Sequence, residues 1–470
     1  MAKRIVALLL AAVMVLSLAA CGSKASGSSD AKAASEDHSM KMAKEKNQAY
    51  STETEKKDYS GRELNLLLSV GGGGDYYTPI ANRMMELYPG LKVNVTFDNN
   101  AAEIMRTKVL AGNPPDIYDI NVNSLPWYDA IEQKIAAPID EIWDLPTMDG
   151  SKKLGDIVDK SPYVLGEYNG SHYVIHEYQY LAGFWYDAKF FRDNNLTIPT
   201  DWATMQTLGE ECKALGIDLM GYCGTSANEY AIMYWFWPML ASLHPELVTR
   251  LTNLDYEAWK TPEMLDRVEK IHWVHENDLF AKQTVSGGCS ESQLDFINHK
   301  FALWPCGSWL EAEMADAWTP DWELTYLPYS WGNAVGDEHM IATGNACQVS
   351  PTTENWDLVC EFFRLMFSDD KTIGDMCDVH KNVVLIDGFA DKFGDKVDPS
   401  VADTAALMNE VTMQVDVCGT WYPNINNELG NMLNAYFMGE IDDEQFIQRG
   451  YDLFKGVKED GSVTKFEYKG

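Results

Sequence analysis

Strand and helix patterns alternate through residues 63–122, and this alternation restricts the chain to a small set of folds. The strand patterns are continuous or alternating apolar runs, whereas the helix patterns between them end at Pro-Gly or Gly-Asn-Pro-Pro. In chain order the predicted elements are a buried strand 63–70, a helix 77–88, a strand 91–97, a helix 101–111 and a strand 116–122. Strands that are connected through helices pair in parallel. The sequence therefore predicts an α/β protein with a parallel sheet flanked by helices.

The rest of the chain is long enough for a second α/β unit. Of its 470 residues 46% are hydrophobic and 12% are aromatic, which is enough apolar material for two filled cores. Further helix patterns cover residues 202–215, 230–240, 262–276, 290–299, 356–367, 369–377, 425–438 and 443–454. Trp235, Trp237 and Trp273 lie within these helix patterns, and we expect them to be core residues.

The first 21 residues have the order of an export signal. Lys3 and Arg4 precede an apolar run over residues 5–18, which ends in Leu18-Ala19-Ala20-Cys21. A membrane-spanning helix needs about 20 apolar residues, so this run is too short for one. Its end matches the leucine–small–small–cysteine lipobox of bacterial lipoproteins, and this resemblance implies cleavage before Cys21 and lipid attachment to its sulfur. We therefore expect a signal peptide at 1–20 and a protein anchored at the extracytoplasmic face of the cell membrane.

The segment after Cys21 has the composition of a flexible linker. Residues 21–60 are rich in Ser, Ala, Lys and Glu and contain few large apolar side chains, so they are predicted to form a lipidated, disordered tether. The whole chain carries a formal charge of −34. Such a surface repels nucleic acid and favours neutral or cationic ligands over phosphorylated ones. We therefore expect no nucleic-acid partner.

The chain contains nine cysteines. With Cys21 assigned to lipid, the others are widely and irregularly spaced: Cys212, Cys223, Cys289, Cys306, Cys347, Cys360, Cys377 and Cys418. No CxxC motif is present, which argues against a zinc ribbon or a thioredoxin-like motif. Two alternatives stay open, namely scattered buried thiols or one or two disulfides in an exported protein.

A series of ordered landmarks resembles the bacterial extracellular solute-binding protein family 1, the maltose-binding-protein-like receptors of sugar ABC importers. The landmarks are the glycine run 71–74 after the first strand, Tyr88-Pro89-Gly90, Gly112-Asn113-Pro114-Pro115-Asp116, Tyr186-Asp187-Ala188-Lys189, Pro199-Thr200-Asp201-Trp202, Gly307-Ser308-Trp309 and Gly439-Glu440-Ile441. The chain departs from the family pattern at Asp187, which replaces an Asn, and at Asp201, which is inserted. Each landmark alone is a common turn or cap, but their order and spacing over residues 62–456 are specific.

The resemblance implies a two-lobed, type II periplasmic-binding-protein-like fold with a ligand cleft between the lobes. Each lobe would be a mainly parallel sheet flanked by helices, and the chain would cross between the lobes three times, near residues 177–182, 337–342 and 388–394. The first lobe would comprise 61–178 plus 338–390, and the second 179–337 plus 391–470. The protein would be a monomer that closes on its ligand by hinge rotation and presents the closed form to the permease subunits of an ABC transporter.

A sugar site needs aromatic rings for the C–H faces of the sugar and planar polar groups for its hydroxyls. Trp309 is the first candidate, because the resemblance places the Gly-x-Trp position at the cleft, and Trp421 is placed in a cleft-facing loop. Loops at the carboxyl ends of parallel strands hold ligands in α/β proteins. These loops and the first crossing add Asp75, Tyr76, Asn121, Asn123, Trp127, Tyr128, Tyr178, Gln179 and Tyr180.

Other chemistries fit the sequence less well. The glycine run 71–74 is not followed by Gly-Lys-Ser/Thr, so it is not a Walker A loop. His172 and His176 lack evident further zinc ligands, and we expect no metal and no cofactor. The leading hypothesis is a non-enzymatic receptor that delivers a sugar or oligosaccharide to an ABC importer. The alternatives are a surface hydrolase acting on glycans and a receptor for a non-sugar solute.

Overall fold

The computed structural model describes residues 57–69, 75–119, 127–224, 235–307, 310–319, 321–327, 339–343, 345–415 and 418–469. Asn121, Asn123 and Trp309 fall outside these ranges, as do the signal peptide and most of the predicted tether. Within the described ranges, no helix is both long and apolar enough to cross a membrane.

The first sheet contains the strands that the apolar runs predicted. Its strand order is β2-β1-β3-β12-β6, with the bounds β1 Glu63–Ser69, β2 Lys92–Asp98, β3 Ile117–Asp119, β6 Ile175–His176 and β12 Ala346–Val349. β1 pairs in parallel with β2 and β3, and Leu66, Leu67 and Leu68 of β1 are buried. β12 is antiparallel to both of its neighbours because the chain re-enters this lobe from the opposite end of the sheet. The sheet is therefore mixed, with β12 running against four strands that share one direction, so it is mainly parallel as predicted.

The second sheet is also mixed and is organised around one long strand. Its strand order is β14-β11-β7-β9-β8, and β10 and β13 pair with β7 outside this path. The bounds are β7 Tyr178–Asp187, β8 Asp218–Met220, β9 Phe301–Gly307, β10 Leu324–Leu327, β11 His339–Thr343, β13 Val383–Val384 and β14 Thr412–Val415. A separate hairpin is formed by β4 Glu167–Tyr168 and β5 Ser171–His172.

Helices flank both sheets. Those that precede β11 are α1 Tyr77–Leu87, α2 Ala101–Leu110, α3 Trp127–Glu132, α4 Ala188–Asn194, α5 Trp202–Leu215, α6 Trp237–Leu243, α7 Pro245–Thr252, α8 Pro262–Glu276, α9 Gln283–Ser286, α10 Cys289–Ile297 and α11 Leu310–Glu313. The later ones are α12 Trp356–Ser368, α13 Asp370–His380, α14 Phe389–Phe393, α15 Pro399–Glu410, α16 Cys418–Trp421, α17 Pro423–Phe437 and α18 Asp443–Glu459.

Local capping explains why several helix bounds were predictable. The Asp201 side chain accepts a hydrogen bond from the backbone N–H of Thr204 at 2.8 Å and so starts α5. Gly216 ends the same helix with a φ of +76°, a left-handed conformation that favours glycine. Asp442 starts α18 by accepting from the N–H of Gln445 at 2.9 Å. The sequence marks these ends directly, because caps and glycine stops are local signals.

Two apolar cores define the two lobes. The first core joins β1 to α12 and α13 and includes Leu66, Trp356 and Phe362. The second core contains most of the tryptophans that are buried in the described ranges, among them Trp235 and Trp237, while Trp273 is partly buried against it. This core continues onto Ala130 and Ile131 of α3. The turn after α3 is bonded to the first sheet, since the Tyr118 hydroxyl donates to the carbonyl oxygen of Ile135 and the N–H of Ala137 donates to the carbonyl oxygen of Val349, both at 2.9 Å. α3 therefore belongs to the first lobe, and the two lobes are in contact there.

The chain passes between the cores at β7, β11 and β14. The prediction had placed the third passage at 388–394, but Phe389 and Phe393 are buried in the first core, as are Val401 and Ala405 of α15. The boundary that we predicted between 390 and 391 is therefore wrong, and residues 391–410 belong with the first lobe. The short, mixed sequence of β14 has no apolar run that marks it as a crossing strand.

One disulfide resolves the alternatives that the cysteine count left open. Cys223 and Cys289 are bonded, whereas six cysteines are buried as thiols outside this bond: Cys212, Cys306, Cys347, Cys360, Cys377 and Cys418. The bond closes a loop over a sequence separation of 66 residues in the second lobe.

We expect this disulfide to stabilise the second lobe by about 4 kcal/mol, because closing a loop of this length removes chain entropy from the unfolded state. A Cys21→Ser protein that is denatured without reductant should show six reactive thiols, and two more after reduction. Reduction should also lower the midpoint of thermal unfolding. In a control that also carries Cys223→Ser and Cys289→Ser, the reductant should change neither the thiol count nor the unfolding midpoint. Eight reactive thiols in the Cys21→Ser protein before reduction would contradict the assignment.

Candidate ligand cleft

A buried polar group, which we call the hinge cluster, lies where the first sheet meets the crossings. It consists of Tyr76, Tyr77, Asp119, Glu177 and Asn345. The Tyr77 hydroxyl donates to Glu177 Oε1 at 2.5 Å, and the Asn345 amide donates to Asp119 Oδ2 and Glu177 Oε2, each at 3.5 Å. Glu177 directly precedes β7 and Asn345 follows β11, so this cluster ties two of the crossings to the end of β3.

One carboxyl group of the hinge cluster, that of Glu177, differs from exposed ones in its protonation. The pKa of Glu177 is raised to about 8, mainly by burial and in part by the nearby charge of Asp119, against hydrogen bonds that lower it. Glu177 is therefore mostly protonated at neutral pH. Both side chains are buried, with Glu177 at 0% and Asp119 at 2% exposure. The acid and base of a glycoside hydrolase have to reach the substrate. Glu177 and Asp119 are buried and therefore do not have that exposure.

The residues that follow β1 are positioned by the start of α1. Asp75 accepts hydrogen bonds from the backbone N–H groups of Tyr77 and Thr78 at 3.2 and 3.0 Å, so its carboxylate is used in capping the helix. It remains partly exposed. Tyr76 is buried and donates to Asp119 Oδ2 at 3.3 Å. Of this predicted pair, only Asp75 reaches the surface.

Tyr178 and Gln179 of the first crossing point in opposite directions, because side chains alternate along a strand. Tyr178 is buried towards the first lobe and stacks on His380 with a centroid distance of 4.4 Å. Gln179 lines a cavity of about 150 Å³ beside α15, together with Val384, Phe389 and Met408. Tyr180 pairs through its backbone with Thr343 of β11.

Tyr128 and Trp421 come from different lobes but contact the same third ring. Tyr128 lies on α3, partly exposed, with its ring centroid 5.5 Å from that of Phe466. Trp421 stacks on Phe466 with a centroid distance of 5.0 Å and an interplanar angle of 21°. Trp421 itself is only 2% exposed. Trp127 is the first residue of α3.

Sequence reasoning missed Phe466, which belongs to a short segment after the last helix. The available signal was the spacing of Val463, Phe466 and Tyr468, three apolar side chains in an otherwise polar end of the chain. Tyr128, on the helix that comes after β3 in the chain, and the Phe466–Trp421 pair form an aromatic contact between the lobes. An aromatic group at that place can contact the C–H face of a sugar.

Comparison with known proteins agrees with this architecture. A family model described as bacterial extracellular solute-binding protein matches residues 70–332. A diacetylchitobiose-binding protein of Streptomyces coelicolor is 28% identical over 268 residues, which cover 55% of this chain and 55% of that protein. The chain therefore spans about half the length of this curated relative.

Solved structures establish the fold. A chitin oligosaccharide binding protein superposes with a TM-score of 0.65 at 16% identity, covering 84% of this chain and 98% of the other. An ABC substrate-binding protein from Listeria monocytogenes, in complex with cycloalternan, superposes with a TM-score of 0.64 at 14% identity, covering 84% and 99%. The two-lobed fold that the landmarks implied is confirmed.

Glu177 should give the protein a pH-dependent stability. Its pKa is raised from 4.5 to about 8 in the folded state, so the folded protein binds more protons than the unfolded one between these values. The stabilisation is complete below pH 4.5 and is lost as the pH rises through about 8. The free energy of unfolding, measured by urea denaturation from pH 4.5 to 8.5, should fall more steeply for the wild type than for Glu177→Gln.

The matched control is Glu132→Gln, which makes the same change at an exposed carboxylate. This variant should keep the pH slope of the wild type. Equal slopes for the wild type and Glu177→Gln would show that Glu177 is ionised in the folded protein throughout this range.

Proposed function

Because this chain belongs to the bacterial extracellular solute-binding protein family, we propose that it binds a sugar or oligosaccharide and delivers it to an ABC importer. The observation that carries the proposal is the meeting of aromatic side chains from both lobes, Tyr128 from the first and Phe466 with Trp421 from the second. A ligand that contacts both lobes favours the closed form, because only that form offers both sets of contacts. The three crossing strands are the place where such closure bends the chain.

The ligand that we propose is an uncharged oligosaccharide. A formal charge of −34 disfavours anionic ligands through long-range repulsion, whereas neutral sugars are unaffected by it. The curated relative binds diacetylchitobiose, and one of the similar structures is a chitin oligosaccharide binding protein. Chitin-derived di- to tetrasaccharides are therefore the first ligands to test. The protein acts as a receptor in this proposal and leaves the sugar chemically unchanged.

Calorimetric titration against a neutral oligosaccharide panel, followed by chromatography of the recovered sugar, tests this function. Saturable binding with intact sugar supports a receptor, and release of shorter products would indicate the hydrolase instead. If no sugar in the panel binds but a peptide or polyamine does, the ligand class is wrong. Scattering in solution should show a smaller radius of gyration when the sugar is bound.

Tyr128→Ala should weaken binding of the best sugar about tenfold, because an aromatic contact of this kind contributes roughly 1 kcal/mol. The matched control is Tyr451→Ala, which removes a partly exposed tyrosine of α18 that packs on Tyr256. This control should keep the affinity of the wild type within about twofold. Unchanged affinity in Tyr128→Ala would remove Tyr128 from the site.

We also propose that the protein is held at the outer face of the membrane by lipid on Cys21. Stable anchoring requires two or more acyl chains, since one chain alone binds a bilayer only marginally. Cys21→Ser should abolish labelling by radioactive palmitate and leave the protein unprocessed or released to the medium. A cleaved Cys21→Ser protein that stays in the membrane fraction would contradict the lipid anchor. The Cys212→Ser variant, which changes a buried thiol, should be labelled like the wild type.

A further inference from the structure

The last described segment, residues 460–469, is fixed on the second lobe by hydrogen bonds from its backbone. The N–H of Phe466 donates to the Tyr422 hydroxyl at 3.1 Å. The N–H of Tyr468 donates to Asn253 Oδ1 at 2.8 Å, and the Asn253 amide donates to the carbonyl oxygen of Tyr468 at 2.7 Å. Tyr468 is buried. The segment is thus held at Phe466 and again two residues later, at Tyr468.

This docking brings two aromatic rings of the segment against Trp421, one face-on and one edge-on. Trp421 is covered by Phe466, whose ring lies nearly parallel to the indole, and Tyr468 contacts the same indole at 6.3 Å. Phe466 is partly exposed, and its ring also neighbours Tyr422 of the second lobe, at 6.3 Å, and Tyr128 of the first lobe, at 5.5 Å between centroids. The aromatic ring that the second lobe presents towards Tyr128 is therefore Phe466, and Trp421 lies behind it.

We propose that Phe466 is a sugar-contacting residue that determines specificity at this end of the cleft. The inference rests on the proposed sugar-binding function. The planes of Phe466 and Tyr128 are inclined at 54°, so the rings form a corner. A pyranose ring packs its C–H face on Phe466 and its edge on Tyr128. Trp421 supports the Phe466 ring from behind, and the contacts of Tyr422 and Asn253 fix its position.

The alternative role for the segment is that of a displaceable plug. In that case Phe466 would take the place of a sugar on Trp421, and the segment would have to leave before the ligand entered. The hydrogen bonds at Phe466 and Tyr468 argue for a fixed wall, because leaving would expose Tyr468 and break the paired contacts of Asn253. The two roles predict affinity changes of opposite sign.

The test is calorimetric titration of full-length variants with the sugar that binds the wild type most tightly. Phe466→Ala and Phe466→Leu should each weaken binding about tenfold, because both lose the aromatic face, while Phe466→Trp should stay within about threefold of the wild type. Val463→Ala, in the same segment but outside the ring stack, should keep the wild-type affinity. If Phe466→Ala does not fold, the affinities of Phe466→Leu and Phe466→Trp are compared instead. Both of these variants keep a large apolar side chain at this position.

The outcomes separate this inference from the function on which it rests. Wild-type binding together with unchanged affinity in Phe466→Ala and Phe466→Leu would place Phe466 in packing alone and overturn the inference. Tighter binding in these variants would identify the segment as a plug and overturn it as well. A wild type that binds no sugar would instead overturn the proposed function, and the role of Phe466 with it.

Discussion

The strand β7 is the constraint on which both lobes depend. It pairs with β9 and β10 in the second lobe and with β11 and β13 near the hinge, so its backbone hydrogen bonds are shared between the two halves of the chain. Immediately before it, the N–H of Glu177 donates to the carbonyl oxygen of Asn345 at 3.1 Å. Buried backbone groups have to remain paired, so the lobes can rotate only in ways that keep these bonds. A hinge built on continuous strands permits bending and opposes separation of the lobes.

A second buried polar group fixes the opposite end of the first sheet. Lys57 and Arg364 both bond Glu361 Oε2, at 2.6 and 2.8 Å. Burial raises the pKa of Glu361, but the two cations outweigh burial and keep its pKa below the ordinary value. Lys57 precedes β1, whereas the hinge cluster lies at the carboxyl ends of β1 and β3. The predicted tether therefore joins the fold at the end of the sheet that is remote from the hinge cluster.

The sequence predicted the features that depend on local patterns and missed those that depend on distant contacts. The strand β1 and the ends of α5 were predictable because apolar runs, caps and glycine stops act over a few residues. The third crossing was not, because only packing shows that Phe389 and Phe393 belong to the first core. The pairing of Cys223 with Cys289 was left open for the same reason. The expectation that Trp421 faces the cleft took no account of Phe466, which is near it only in the fold.

The tryptophans illustrate why composition alone does not locate a sugar site. An aromatic-rich chain buries most of its large rings, since each one removes apolar surface from water, and the second core is built largely from them. A ring can contact a ligand only where packing leaves part of it uncovered. Tyr128 and Phe466 are partly exposed where the lobes meet, while Trp421 is covered. Exposure in the fold, and not residue type, therefore selects the aromatic side chains that are candidates for binding.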